Sequence, residues 1–240
     1  MSTMKLHLCG LTTDGKLWHI SRSRNDIDSG ASWGRWEEVK PKGATDIGRF
    51  VSAACGVRYV EDMEEIHICG VTQDGKLWYT NRTLPQDWQP FEDLRTQIQG
   101  NWDTFHVQDV TFDDSFLDVC VIVLTNSSER HILHTRRHFD GTWDSFQDVN
   151  DPQVADFPGS FISVGCANVS PQPQLEELHV CGITDDGKLW HTLRSSLLGS
   201  FSWLPFANVQ TPSANGPDHF TKVCITQGIP DLEGREDLHV

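Results

Sequence analysis

Short apolar segments of five to eight residues follow one another along the chain, separated by glycine, aspartate, asparagine or proline. They are rich in valine, isoleucine, phenylalanine, tryptophan and threonine, which favour β-strands. No segment shows the spacing of apolar positions that an amphipathic helix requires. The pattern therefore predicts an all-β protein.

The segments belong to a repeat that occurs four times. Its clearest part is the hairpin sequence DGKLW, preceded by a run such as LHLCGLT, at residues 6–18, 66–78 and 178–190. A degenerate copy has Asp118 and Leu133 where the other copies have histidine and tryptophan. Each copy continues with a Trp-x-x-aromatic segment and then a segment that opens with phenylalanine. The units span about residues 5–57, 65–112, 117–169 and 177–226.

Four antiparallel strands per unit, repeated about every 40–60 residues, are typical of β-propeller blades. Asp-Gly pairs tolerate positive φ and favour tight hairpins between the strands. We predict one β-propeller domain over residues 1–240, with four blades of four antiparallel strands. Residues 219–226 would close the ring by adding an inner strand to the blade formed by residues 5–39. Residues 238–240 repeat residues 6–8 and would occupy the same place, so a longer array of repeats stays the alternative.

The charge of the chain narrows the range of partners. There are 34 acidic residues against 19 lysines and arginines, a formal net charge of −15 at pH 7. Proteins that bind phosphate backbones need clustered positive charge, so we expect neither nucleic acid nor an anionic membrane as a partner. The apolar runs are too short to cross a bilayer, and the N-terminus has no secretory signal. We expect a cytoplasmic protein, or one secreted by a route that needs no signal peptide.

Seven cysteines follow the repeat, and none forms a CxxC pair. Zinc ribbons and thioredoxin-like motifs are therefore excluded, and no cofactor or metal is expected. We expect the cysteines to be small buried apolar residues without disulfides. The repeated histidines His7, His67 and His179 are expected to be structural.

The DGKLW hairpin, the Trp-x-x-Phe segment and the phenylalanine-led strand resemble those of the tachylectin/tectonin-like β-propeller lectins. The resemblance covers residues 4–226 and implies shallow sugar pockets, one per blade or blade junction. It also implies glycans or glycoconjugates as partners. It identifies no individual residues, so candidate residues are chosen here by their chemistry.

Sugar recognition uses an aromatic plane against the C–H face of the ring, with polar groups that orient the hydroxyls. Every repeat supplies such groups. The aromatic candidates are Trp33, Trp88, Trp143, Trp203, Trp18, Trp78 and Trp190. The polar candidates are His19, Tyr79, His134 and His191, followed three residues later by Arg22, Arg82, Arg137 and Arg194.

Strand alternation limits which candidates can meet. Trp18 and Arg22 share one face of a strand, whereas His19 points to the other face. A pocket would therefore combine tryptophan and arginine from one blade with histidine or tyrosine from its neighbour. The alternatives are that the Trp18 series is blade core, and that the Arg22 series pairs with acidic residues of an adjacent blade.

These patterns predict a carbohydrate-binding protein with several similar, weak sites that act together on clustered glycans. A scaffold for protein–protein interaction is the alternative, and a homo-oligomer stays open. A glycoside hydrolase is a further alternative, and it needs two carboxylates that occur once. Asp109 and Asp118 are the non-repeated acids on predicted inner strands, and no unique tyrosine or arginine cluster accompanies them. The sequence therefore favours a binding protein over an enzyme.

Overall fold

The computed structural model describes residues 5–23, 33–40, 46–60, 63–97, 106–113, 117–124, 128–150, 158–172, 175–195, 203–210, 219–227 and 238–239. These residues form antiparallel strands and one short 3-10 helix, which confirms the predicted all-β class of β-propeller blades. The chain divides into two compact units, Met1–Asp103 and Thr104–Val240. No helix in the described part of the chain is long and apolar enough to span a membrane.

The first unit contains two blades. The first blade is the sheet β1-β2-β3 and the second is the sheet β4-β5-β6-β7, followed by the 3-10 helix Leu94–Gln97. The strands are β1 Lys5–Leu11, β2 Leu17–Ser23, β3 Glu37–Glu38, β4 Phe50–Val60, β5 Met63–Thr72, β6 Leu77–Thr83 and β7 Glu92–Asp93.

The second unit contains the third blade, β8-β9-β10-β11, the fourth blade, β12-β13-β14-β15, and a two-stranded sheet, β16-β17. The strands of the third blade are β8 His106–Asp113, β9 Asp118–Leu124, β10 Arg130–Arg136 and β11 Gln147–Asp148. Those that follow are β12 Phe161–Gln172, β13 Leu175–Thr184, β14 Leu189–Ser195, β15 Ala207–Asn208, β16 Thr226–Gln227 and β17 Leu238–His239.

The repeated Asp-Gly pair forms the turn between β1 and β2, between β5 and β6, and between β13 and β14. Gly15, Gly75 and Gly187 have φ of 79°, 77° and 80°, a left-handed conformation that glycine adopts without strain. In the second blade the hydroxyl of Thr72 donates to the Asp74 carboxylate at 2.6 Å, and this hydrogen bond stabilises the same turn. The predicted hairpins are confirmed.

In the second and fourth blades the glycine of a Cys-Gly pair makes room for the phenylalanine that leads the inner strand. Phe50 lies over Gly70, and Phe161 lies over Gly182, so close that a Cβ on either glycine would meet the ring. Phe50 and Phe161 are both buried. Gly10 has the same place in the first blade, but its nearest neighbour is Trp36 at an ordinary contact distance of 3.8 Å.

We expect Gly182→Ala to lower the free energy of unfolding by about 1–3 kcal/mol, because the added methyl group overfills a packed core. Its Cβ would lie 2.6 Å from the Phe161 ring and 2.9 Å from Ile132. Gly10→Ala is the matched control and should change stability little, because its Cβ meets ordinary space. Urea unfolding of both variants measures the change. Equal losses of unfolding free energy would contradict the tight packing of the Phe161 ring on Gly182.

Each unit has its own apolar core between its blades. In the first unit the core consists of Leu17, Val39, Phe50, Ile66, Ile68 and Trp88. In the second it includes Cys120, Ile122, Ile132, Val149, Phe161, Val164, Cys166, Leu178, Val180 and Trp203. One face of the second and of the fourth blade is therefore buried against the preceding blade.

Strand pairing at the C-terminus corrects the predicted ring closure. Residues 219–226 were expected to pair with the blade formed by residues 5–39. Instead Thr226 lies opposite His239, and Gln227 lies opposite Leu238. In the described residues β1 is hydrogen-bonded to β2 alone, so the first blade has three strands. The short segment that repeats residues 6–8 has taken the place that was predicted for β1.

The structure places none of the seven cysteines in a disulfide. Four of them are buried: Cys69, Cys120, Cys166 and Cys181. Cys9 and Cys55 are half-buried and Cys224 is exposed, so the expectation of burial is wrong for these three.

Candidate functional site

Each arginine of the Arg22 series lies beside the tryptophan that follows it in the repeat. The guanidinium carbons of Arg22, Arg82 and Arg194 lie 5.9, 4.6 and 5.6 Å from the ring centres of Trp33, Trp88 and Trp203. Arg137 forms a backbone bridge with Trp143. Such cation–π contacts are favourable, and more so where water is excluded.

Among the described residues the Trp18 series has neighbours other than the arginines, and a pocket shared by Trp18 and Arg22 stays a prediction. Trp33 reaches Arg22 from the neighbouring segment, where Gly34 N–H donates to the Ser21 carbonyl. The Trp18 series is half-buried: Trp78 packs edge-on against Phe91, Trp190 donates to Thr184, and Trp18 lies in a groove with Trp36.

The first unit brings candidates of two blades together, in a group that we name the Arg82 cluster: His19, Glu37, Arg82 and Trp88. The Trp88 ring meets His19 of the first blade edge-on at 5.6 Å between ring centres. Arg82 lies over the same ring, and its Nη1 donates to Glu37 Oε2 of the first blade at 2.7 Å. Trp88 is 7% exposed, whereas the Glu37 side chain is 55% exposed. The Trp88 ring is therefore buried at the bottom of the cluster, and the Glu37 carboxylate at its surface is accessible to solvent.

Two donors of the Arg82 cluster are buried without a partner among the described residues. They are Nε of Arg82 and Nε1 of Trp88. A buried N–H group without a partner costs about 1–3 kcal/mol. The cluster therefore has hydrogen-bonding capacity for water or for a ligand.

A histidine of the preceding strand lies beneath three of the four polar candidates, His19, Tyr79 and His191. His7 Nδ1 and His19 Nε2 share a hydrogen bond of 2.9 Å, as do the same atoms of His179 and His191. In the second blade His67 Nδ1 lies 2.7 Å from the Tyr79 hydroxyl, deep in the core. Sequence reasoning missed these pairs, although a constant spacing of twelve residues connects their members.

Burial lowers the pKa of His19 to about 4, and the charges of His7 and Arg82 act in the same direction. The pKa of His7 is lowered by burial as well, against the opposing influence of Glu64. Both imidazoles are therefore neutral at pH 7. They orient the cluster by hydrogen bonding and packing.

We expect the free energy of unfolding to fall as the pH drops from about 6.5 towards 4. In this window the unfolded chain binds a proton at His19 and the fold does not, so acid favours unfolding by up to about 1.4 kcal/mol per pH unit per histidine. Urea unfolding at pH 7.5, 6 and 5 measures the slope. His19→Gln should reduce it, and an unchanged slope in that variant would contradict the assignment.

The second unit has a group at the equivalent junction that we name the Asp118 cluster: Asp118, His134, Arg136, Asn168, Arg194 and Trp203. His134 Nε2 donates to Asp118 at 2.6 Å and meets Trp203 edge-on. Arg136 donates to both oxygens of Asp118, at 2.9 and 2.6 Å, and also pairs with Glu176. Asn168 donates at 2.8 Å, and Arg194 Nη2 lies 3.7 Å away.

Asp118 is fully buried and ionised. Burial by itself would raise the pKa of its carboxyl, but the hydrogen bonds and charges of His134 and Arg136 hold it well below the ordinary range. Its oxygens are occupied by the side chains of the cluster. Asp118 therefore holds charged groups of two blades together and does not reach a substrate. The Asp109 side chain lies outside the described residues.

A cleft of about 380 Å³ in the first unit was not predicted. Its lining includes Lys16, Glu38, Asp46, Arg49 and Phe91. The charges are of both signs, and Arg49 is held by the Thr13 carbonyl at 2.7 Å. Its lining combines residues of the repeated hairpin, Asp14 to Leu17, with loop residues 46–49, and the sequence analysis did not connect the two. In the described part of the chain, no group of three or more histidine, cysteine or acidic residues is arranged to hold a metal ion.

Solved structures resemble the chain, although no protein-family model and no curated protein matches it. A mutant of AofleA from Arthrobotrys oligospora has a TM-score of 0.59 at 11% identity, covering 98% of this chain and 60% of that one. Trypanosoma rangeli sialidase has a TM-score of 0.54 at 12% identity, covering 99% and 41%. Aleuria aurantia lectin, in complex with α-methyl-L-fucoside, has a TM-score of 0.46 at 11% identity, covering 100% and 95%. The chain spans about 60% of AofleA and less of the sialidase, and likeness at this identity shows the fold alone.

Proposed function

We propose that this protein is a lectin of the tectonin-like kind whose principal sugar site is the Arg82 cluster. The observation that carries the proposal is the accessible Glu37 carboxylate beside Arg82 and Trp88, whose Nε and Nε1 donors have no partner in the described residues. A pair of sugar hydroxyls can accept from Arg82 and donate to Glu37. The carbohydrate-directed name of a similar structure, Trypanosoma rangeli sialidase, supports this class of ligand.

The charges of the Arg82 cluster favour a neutral sugar. Arg82 is already paired with Glu37 at 2.7 Å, so the pair has no net charge to offer an anionic group. Donor and acceptor lie side by side, which suits adjacent hydroxyl groups. The Trp88 face is covered by Arg82, so recognition relies on hydrogen bonds more than on stacking.

The equivalent junction of the second unit differs in the groups that matter. Gln147 lies opposite His134, in the place that Glu37 has opposite His19. Arg194 is directed towards the buried Asp118. The carboxylate beside Arg194 is the fully buried Asp118, whereas the carboxylate beside Arg82 is the accessible Glu37, so we propose that the two junctions are not equivalent sites.

A glycoside hydrolase would need an acid that exchanges protons with substrate. Asp118 is the described non-repeated candidate, and its burial and low pKa do not suit that role. The proposed activity is therefore binding. Weak sites of this kind gain strength on clustered glycans by multivalency.

We expect Glu37→Gln to weaken binding of a neutral methyl glycoside about 10- to 100-fold, the loss of one hydrogen bond to a charged group. Arg82→Lys should weaken it at least about tenfold, because lysine lacks the planar fork. Glu92→Gln is the matched control, since Glu92 has the same place on the second blade and is exposed. Calorimetric titration measures all three. Equal affinity of Glu37→Gln and wild type would overturn the proposed site.

A further inference from the structure

Two cysteines of the first unit lie at the junction of its two blades. Cys9 belongs to β1 of the first blade, and Cys55 belongs to β4 of the second blade. Both side chains pack against the apolar core of this unit. So do Leu11, Ala53 and Val57, each two residues away from one of the cysteines along the same strand. Because alternate side chains share one face of a strand, these faces of β1 and β4 are directed towards the same core.

The two thiols interact directly. Cys9 and Cys55 share a side-chain hydrogen bond, which is the largest influence that raises the pKa of the Cys9 thiol, and burial acts in the same direction. Cys69 of β5 influences Cys9 more weakly, through its charge. The thiol that Cys9 contacts is therefore that of Cys55, across the junction between the blades.

Both thiols keep partial access to solvent. Cys9 and Cys55 are half-buried, whereas Cys69 is buried. In the second unit Cys120 of β9 and Cys166 of β12 have the equivalent places, and they are 0% and 3% exposed. The first unit thus combines two thiols in contact with a path for a small reagent, and oxidation of a thiol requires such a path.

We propose that Cys9 and Cys55 form a redox site, which hydrogen peroxide converts into a disulfide between the first and second blades. Peroxide is small and uncharged, so it suits two thiols that are half-buried. The disulfide would hold the two blades of the first unit together covalently. The inference does not depend on carbohydrate binding.

The reaction has two steps, and its atoms and electrons balance. The sulfur of one cysteine attacks an oxygen of peroxide, the O–O bond breaks, and the products are a sulfenic acid and water. The sulfur of the second cysteine then attacks the sulfenic sulfur, forms the S–S bond and releases a second water. In total the two thiols lose two protons and two electrons, and peroxide is reduced to two molecules of water.

The hydrogen bond between the thiols assigns the order of the two steps. It keeps the proton on Cys9, so the sulfur that is free to attack peroxide is that of Cys55. The S–H group of Cys9 then lies next to the sulfenic acid of Cys55. Cys9 is therefore the residue that resolves this intermediate.

Peptide mapping of the full-length wild type after treatment with hydrogen peroxide tests the pairing. We expect two peptides joined through Cys9 and Cys55, lighter by two hydrogen atoms than the reduced peptides and separated by a reductant. Cys224→Ser is the matched control, because it removes an exposed thiol and should give the same joined peptides. If Cys9 and Cys55 stay unlinked, or if Cys9 is joined to Cys69 instead, the proposal is wrong.

Dimedone, which labels sulfenic acids, tests the order of the steps. In Cys9→Ser the sulfenic acid has no thiol beside it, so we expect peroxide and dimedone to label Cys55. Cys55→Ser should show no label on Cys9. A label on Cys9 in Cys55→Ser, without one on Cys55 in Cys9→Ser, would overturn the assigned order.

Urea unfolding measures the consequence of the disulfide for stability. The midpoint of unfolding is expected to move to a higher urea concentration after oxidation, because a cross-link restricts the unfolded chain, and to return after reduction. Cys224→Ser should show the same shift, and Cys55→Ser should show none. A shift of equal size in Cys55→Ser would show that peroxide acts elsewhere and would contradict the proposed stabilisation.

Discussion

Replacing Asp118 with alanine is expected to lower the free energy of unfolding by about 3–5 kcal/mol, among the largest effects of any single substitution in this chain. The carboxylate is fully buried and accepts from His134, Arg136 and Asn168. Its removal leaves the positive charge of Arg136 in a place with little water, and Arg194 loses a carboxylate that lies 3.7 Å from its Nη2. Denaturant unfolding measures the loss.

The matched control for Asp118→Ala is Asp144→Ala. His138 Nε2 lies 2.7 Å from Asp144, nearly the geometry of His134 and Asp118, but both side chains are about half exposed. Exposed ion pairs contribute about 0–1 kcal/mol. Similar losses of unfolding free energy for the two alanine variants would show that Asp118 does not stabilise the contact between the third and fourth blades.

Phe161→Ala is expected to cost about 3–5 kcal/mol, because it empties the socket over Gly182 and leaves a cavity. The ring is fully buried and lies 5.2 Å from the ring of Phe206. Phe139→Ala is the control, since Phe139 is largely exposed and should contribute little. A loss below about 1 kcal/mol for Phe161→Ala would contradict the role of the leading phenylalanine. The double variant with Gly182→Ala should lose less than the sum, because the methyl group enters the space left by the ring.

Much of the fold could be predicted because the repeat marks it four times. Asp-Gly pairs fix the hairpins, and the phenylalanines that lead β4 and β12 meet the glycine of a Cys-Gly pair. The ring closure could not be predicted. Residues 6–8 and 238–240 carry nearly the same letters, LHL and LHV, so both fit the edge at Thr226 and Gln227. Sequence alone gives no basis for ranking them.

The site was predictable in its residue types but not in its partners. Alternation along one strand places Trp18 with Arg22, but it gives no indication that Trp33 of an adjacent segment lies 5.9 Å from Arg22. Neighbours on adjacent strands depend on the pairing register, and the alternation of side chains along one strand does not determine that register. Glu37 and Arg136 were missed for a related reason: their partners, Arg82 and Asp118, lie 45 and 18 residues away.

The most direct measurement of the central claim is an NMR titration of the nine tryptophan indole N–H groups with neutral methyl glycosides. Each signal is assigned by a Trp→Phe variant. The account predicts that the Trp88 signal moves on addition of sugar, and that Glu37→Gln suppresses the change while Glu92→Gln does not. The Trp203 signal should stay in place. Movement of the Trp203 signal without Trp88, or no movement for any glycoside, would contradict the assignment of a sugar site to the Arg82 cluster.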